Sequence, residues 1–111
     1  MDDKIKKLLF DIHKYIILID TIIGTPRMFI DYKNNITIQL AIERCLEIIG
    51  EATHSILKIK PDIAITNARQ IVNTRNRFIH EYNRTEPENV WSIVINHLPT
   101  LKLEVEKLLN E

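Results

Sequence analysis

The sequence predicts an all-α fold, an up-and-down bundle of four main helices with one short extra helix. Three observations carry that prediction. Apolar residues recur at steps of three and four over long stretches, and two glycines and four prolines are too few turn signals for an all-β sandwich or barrel in 111 residues. The length is that of one domain, 1–111, able to bury one core but not two.

Ile5, Leu8, Leu9, Ile12, Ile16, Ile19 and Ile23 form the stripe of the first amphipathic helix, which Gly24 ends. Thr25-Pro26 reads as an N-cap followed by proline at the first helical position, opening a short turn around Arg27 to Tyr32. A second long stripe runs through Ile38, Ala41, Ile42, Cys45, Ile49, Ala52, Ile56 and Ile59 and closes before Pro61. Its beginning is ambiguous, because Ile36 to Leu40 also alternates like a strand. Ala68, Ile71 and Val72 mark a third helix. The last starts at Thr85-Glu86-Pro87-Glu88, a capping-box pattern, and continues through Trp91, Val94, Leu98, Leu101, Val105 and Leu108. That heptad-like seam suits either the bundle interior or a second chain, with a bend at Pro99.

Composition narrows the function classes. Apolar residues make up 45% and charged residues 27%, the balance of a globular protein, and 15 basic against 15 acidic residues leave a net charge of zero. No global field draws the chain to nucleic acid or an anionic membrane, so any such affinity is local. The lone Cys45 excludes an intramolecular disulfide and a multi-cysteine metal site, and reads as a small buried hydrophobe in a reducing compartment. His13, His54 and His97 fall on separate segments without ligand spacing, so no metal site or cofactor is expected. With no signal-peptide pattern at the start and no apolar run of about 20 residues, a cytoplasmic protein is expected.

One segment breaks the pattern. Continuing the apolar line of the third helix from Ala68, Ile71 and Val72 leads to Arg75, then Ile79 and Tyr82. A cation on that line needs a partner: a carboxylate, another subunit or a phosphate. The other face gathers Arg69, Asn73, Asn76, Arg77, His80 and Arg84; from Asn67 to Arg84 four arginines face one acid, Glu81. Arg75 and His80 diverge by roughly 140° on a regular helix, so a long arginine must reach around or a twofold dimer must bring two copies together. Asn76, four before His80, is placed to hydrogen-bond the imidazole. An imidazole can move a proton from a ribose 2′-hydroxyl or to a leaving oxygen, and a guanidinium can steady phosphoryl charge, so these residues fit metal-independent RNA cleavage. Taken alone, the spacing is common by chance and reads first as a solvated polar helix face.

The string Arg75-Asn76-Arg77-Phe78-Ile79-His80-Glu81-Tyr82 resembles the signature of the HEPN superfamily, an arginine, a polar residue and a histidine after a gap of four to six. The tyrosine two residues past the histidine resembles its HepT-like branch. Ile48-Ile49-Gly50-Glu51-Ala52, Val90-Trp91 and Leu98-Pro99-Thr100-Leu101 extend the resemblance over most of the chain, while Thr85-Glu86 departs from the apolar-then-acidic pair expected there. The resemblance implies a HEPN-like helical homodimer with motif helices at the interface, cutting RNA without a metal ion as the toxin of a toxin–antitoxin pair. It implies Arg75 and His80 as catalytic residues, Asn76 as their support, and Arg69, Arg77 and Arg84 as RNA contacts. It further implies an MNT-type nucleotidyltransferase antitoxin that transfers AMP from ATP to Tyr82, closing the cleft to RNA. Glu51 is placed either to pair with a cation of the site or to be buried beside Arg75 for stability. Two other readings compete: a non-catalytic subunit that docks or regulates a nucleotidyltransferase, and a helical scaffold using the seam of the last helix.

Overall fold

A computed structural model of the chain describes residues 1–80 and 86–111, with 77–80 described by their backbone. The described residues are helical with no strand: α1 Asp3–Ile23, α2 Phe29–Lys33, α3 Ile36–Ile59, α4 Ala68–His80, α5 Pro87–Ser92, a π-helical turn Ile93–His97, and α6 Leu98–Leu109. α5, the π turn and α6 occupy consecutive residues and together make the fourth main helix. α3 lies between α1 and α4, and α1 packs also on α6, so the four long elements form the expected all-α bundle with α2 as the short extra piece.

Each helix begins and ends for a local reason. The Asp2 carboxylate accepts hydrogen bonds from the backbone N–H groups of Lys4 and Ile5, satisfying two orphan donors of α1. Gly24, at φ 66°, then turns the chain out of α1 in the left-handed region that side chains disfavour. At α3 the strand-like alternation of Ile36 to Leu40 gives way to helix. Asn35 accepts from the Ile38 N–H, and the buried Gln39 amide donates to the carbonyls of Tyr32 and Lys33 at the end of α2. A strand would lose both; Ile36 and Leu40 instead lie exposed one turn apart.

Two local expectations are corrected. Thr25 does not cap a helix: Gly24 to Met28 form an irregular link, with a cis Thr25–Pro26 peptide and Arg27 paired to Asp20, and α2 starts only at Phe29 behind Met28. The later start lets Phe29 and Tyr32, three apart, both face Trp91. The last helix starts at Pro87 behind Glu86, which makes no side-chain cap bond; Thr85 lies outside the described residues. Pro87 at the first helical position costs no hydrogen bond, which is why the helix begins there. At Pro99, which lacks the N–H that an α-helix would point at Ile95, the chain widens beforehand into the π turn, with the Leu98 N–H donating to the Ile93 carbonyl.

The core runs the length of α1, α3 and α6. Leu9, Ile12, Ile16 and Ile19 of α1 meet Ile42, Ile49 and Ile56 of α3, all fully buried. Val94, Leu98, Leu101, Val105 and Leu108 are buried within the same cluster, so the seam of the last helix is spent inside this chain. Cys45 is buried among them, and burial pushes its thiol pKa above the ordinary value, with the nearby Arg44 charge acting the other way. Only the thiolate is nucleophilic. The folded protein should therefore resist alkylation by iodoacetamide at neutral pH and react fully once unfolded in denaturant; rapid native labelling, read by mass, would contradict this placement.

Candidate active site

The motif helix α4 is fixed at its start by α6. The Glu104 carboxylate accepts from the Thr66 backbone N–H at 3.0 Å and from its hydroxyl at 2.7 Å, and Asn67, at φ 60°, redirects the chain into the helix. Asparagine tolerates that conformation better than most side chains. From there Ala68 and Val72 are buried and Ile71 half-buried against the core, which sets the rotational phase of α4.

That phase carries Arg75 onto α3. Its Cβ lies against the Cα of Gly50, close enough that a Cβ built on Gly50 would stand 2.3 Å from it. The Arg75 side chain is 21% exposed, with Nη1 donating to Asn76 Oδ1 at 2.6 Å and Nη2 3.7 Å from Glu51 Oε1. The second distance is an ion pair too long to be a hydrogen bond. Because the Glu51 side chain is 59% exposed, solvent screens the pair and it does not hold Arg75 in place as an internal salt bridge would. Arg75 Nε is buried with no hydrogen-bond partner among the described residues. Of three guanidinium nitrogens, only Nη1 is hydrogen-bonded to a described residue.

The carboxylate that the apolar placement of Arg75 called for is thus Glu51, and it faces solvent rather than the interior. Asn76 is half-buried, and its carbonyl oxygen serves the adjacent Arg75. Arg69 is exposed near the start of α4. His80 is the last residue of α4, but its side chain and that of Arg77 lie outside the described residues, as do Arg84 and Tyr82 altogether. Among the described residues no group of three or more histidine, cysteine, aspartate or glutamate side chains is placed to hold a metal ion. None of the described helices is long and apolar enough to cross a membrane.

Two concavities flank this arrangement. A cavity of about 300 Å³ between α3, α4 and α6 is lined by Ile49, Gln70, Ile71, Thr74, His97 and Leu101 among others; Arg75 does not line it. A shallower groove of about 340 Å³ between α1 and α3, lined by Leu8, Tyr15, Ile48 and Ser55, includes Glu51 and so runs up to the Arg75 side. The open groove, rather than the more enclosed cavity, adjoins the Arg75 guanidinium.

Comparison with known proteins gives the family. The family model described as "Ribonuclease HepT-like" matches residues 12–108, which takes in α3, the whole motif and the last helix. The chain belongs to the HepT-like ribonuclease family. Two proteins of Methanocaldococcus jannaschii, each provisionally named an RNase, are 33% identical to it over 96% of this chain, covering 88% and 92% of their own lengths. A protein of Thermococcus cleftensis provisionally named ribonuclease HepT is 35% identical over 63% of this chain and 64% of its own. No solved structure matches the chain. The HepT-like motif, Arg75 to Tyr82, therefore falls inside the matched region, and its first residue is the arginine that α4 seats against α3.

Helical spacing pointed to Arg75 and Asn76, and the family resemblance to Glu51. Neither gave a role to Gly50, Thr66 or Glu104. Gly50 carried a signal, since glycine within a helical stripe usually marks a close approach. Thr66 and Glu104, 38 residues apart, carried none.

Proposed function

We propose that this HepT-like protein is a metal-independent endoribonuclease whose site is completed at a homodimer cleft. In this reading it is the toxin of a toxin–antitoxin pair, acts in the cytoplasm, and is silenced by AMP transfer to Tyr82. One observation carries the ribonuclease reading: Arg75 presents a charged guanidinium on the motif helix with hydrogen-bonding capacity not taken up by the described residues. A guanidinium that served only stability would have its nitrogens paired. Spare donors suit phosphoryl oxygens, which a planar fork binds through two nitrogens at once.

In the proposed step the neutral imidazole of one His80 takes the proton of a ribose 2′-hydroxyl. The freed oxygen attacks the adjacent phosphorus, the bond to the 5′-oxygen breaks, and that oxygen takes a proton from the imidazolium of the second copy's motif. The products are a 2′,3′-cyclic phosphate and a 5′-hydroxyl, and Arg75 stabilises the charge that builds on the non-bridging oxygens. Each chain supplies one motif histidine, so acid and base together call for two chains. Asn76 holds the guanidinium, and Arg69, Arg77 and Arg84 are the proposed contacts to flanking phosphates. For silencing, the Tyr82 phenol loses its proton and bonds the α-phosphorus of ATP, pyrophosphate leaves, and the added AMP fills the cleft with charge and bulk. The enzyme for that transfer is an MNT-type nucleotidyltransferase partner.

The test uses the purified protein, single-stranded RNA and excess EDTA. Cleavage leaving cyclic phosphate ends is expected, together with its loss in His80→Ala; identical behaviour of the two proteins would remove the ribonuclease reading. Co-expression with a nucleotidyltransferase should add AMP mass units to the chain and none to Tyr82→Phe. The zero net charge favours one other reading, a non-catalytic subunit that binds and regulates the nucleotidyltransferase. A stable complex without nuclease activity, even after AMP is removed, would decide for it.

A further inference from the structure

Of the two glycines, only Gly24 is required by its backbone, at φ 66°. Gly50 sits in the interior of the 24-residue α3 with ordinary helical geometry, where alanine would be the better helix former. What excludes a side chain is the neighbouring helix. A Cβ at Gly50 would meet Arg75 Cβ at 2.3 Å, Arg75 Cγ at 3.1 Å and the Ile71 carbonyl oxygen at 3.1 Å. Two of these three atoms belong to the residue at the head of the motif. The approach therefore seats the root of the Arg75 side chain directly on the α3 backbone, buries Nε, and leaves the guanidinium tip over the next residue of α3, Glu51.

We propose that Gly50 is a positioning residue for Arg75: the bare Cα is a seat that fixes where the guanidinium emerges, and any side chain there displaces it from the phosphoryl oxygens it must reach. The proposal rests on the ribonuclease reading for its catalytic consequence, and on geometry alone for the seat. The spacing of two α-helices depends on the side chains at their contact. A methyl group at position 50 pushes α4 outward at the level of Arg75, and a misplacement of about 1 Å in a charge-stabilising group can cost on the order of 10²-fold in rate. A guanidinium that steadies charge only as it develops affects kcat more than KM.

The variant is Gly50→Ala, with Val72→Ala as the control. Val72 is buried on the same helix, so its truncation loosens α4 without entering the seat. In ¹⁵N-labelled protein the Arg75 Nε–H resonance, assigned as the one lost in Arg75→Lys, should be protected from exchange in the wild type and in Val72→Ala, and shifted or exchange-broadened in Gly50→Ala. Cleavage should follow it: kcat lower by roughly 10- to 100-fold in Gly50→Ala with KM within about threefold, and little changed in Val72→Ala. An unchanged resonance and kcat in Gly50→Ala, or equal losses in both variants, would overturn the proposal. If Gly50→Ala fails to fold, Arg75→Gly in the same chain should restore folding by removing the opposing Cβ, whereas Arg75→Ala should not; restoration by both or neither places the clash elsewhere and also overturns it. If the wild type cleaves no RNA, the ribonuclease reading fails, and the resonance still decides whether Gly50 seats Arg75.

Discussion

Replacing Arg75 with alanine should lower kcat for RNA cleavage by roughly 10²- to 10³-fold, the range typical for removal of one charge-stabilising donor from an active site. The melting temperature should hardly move. Both halves follow from how Arg75 is held. Alanine keeps the Cβ that rests on Gly50, so the contact between α3 and α4 survives. The pair with Glu51 is long and screened, and Glu51 is already exposed, so its carboxylate stays hydrated when the guanidinium is gone. Among the described residues, only Asn76 loses a hydrogen-bond partner. Arg75→Lys keeps the charge and loses the planar fork, so it should fall between wild type and alanine. Single-turnover cleavage at saturating enzyme, set beside a thermal melt, checks the prediction. A variant that melts many degrees lower yet cleaves normally per folded molecule would make Arg75 a structural residue.

How much of this could be read from the chain depends on how many neighbours a helix has. α1 packs chiefly through one stripe, and Ile5, Leu9, Ile12, Ile16 and Ile19 are buried as their three-and-four spacing requires. α3 is buried on two sides, against α1 and against α4, so a single stripe undercounts it. Ile42, Cys45, Ile49, Ala52 and Ile56 were legible, whereas Leu46, Gly50, Thr53 and Leu57 belong to the wider buried face. Thr53 is tolerated there because its hydroxyl donates to the Ile49 carbonyl. Ile59, on the expected stripe, lies past the end of the packed region and is 39% exposed.

The site divides the same way. That Arg75 breaks an apolar line is a property of spacing within one helix, and the sequence displays it. Which atoms meet the guanidinium is a property of two helices at a particular distance and phase, and no spacing encodes it. Glu51 was legible as an acid near the site but not as a solvent-facing one, because its direction depends on the second packed face of α3. The expected Asn76 contact to His80 lies outside the described residues; what spacing did not display is that Asn76 Oδ1 accepts from its sequence neighbour, Arg75 Nη1.

Trp91→Ala should give the opposite signature to Arg75→Ala: a large loss of stability with the turnover of each folded molecule unchanged. Trp91 is half-buried, with Phe29 edge-on at 5.8 Å between ring centroids and Tyr32 tilted at 5.5 Å. These contacts join α2 to α5, and the neighbouring Lys33–Glu88 pair, at 3.9 Å and exposed on both sides, cannot replace them. Truncating a packed tryptophan costs about 3–5 kcal/mol, and partial exposure puts this site at about the lower end. For a chain of this size that corresponds to a fall in melting temperature on the order of 10 °C. α2 should respond first, because Gln39 and the buried Tyr32 are then left to tie it to the bundle, so amide exchange in Phe29–Lys33 should accelerate more than in α1 or the centre of α3. Trp91→Phe should recover most of the loss. Equal acceleration along α1 and α3 would mean that Trp91 supports the whole core rather than the α2 corner, and normal melting in Trp91→Ala would deny it either role.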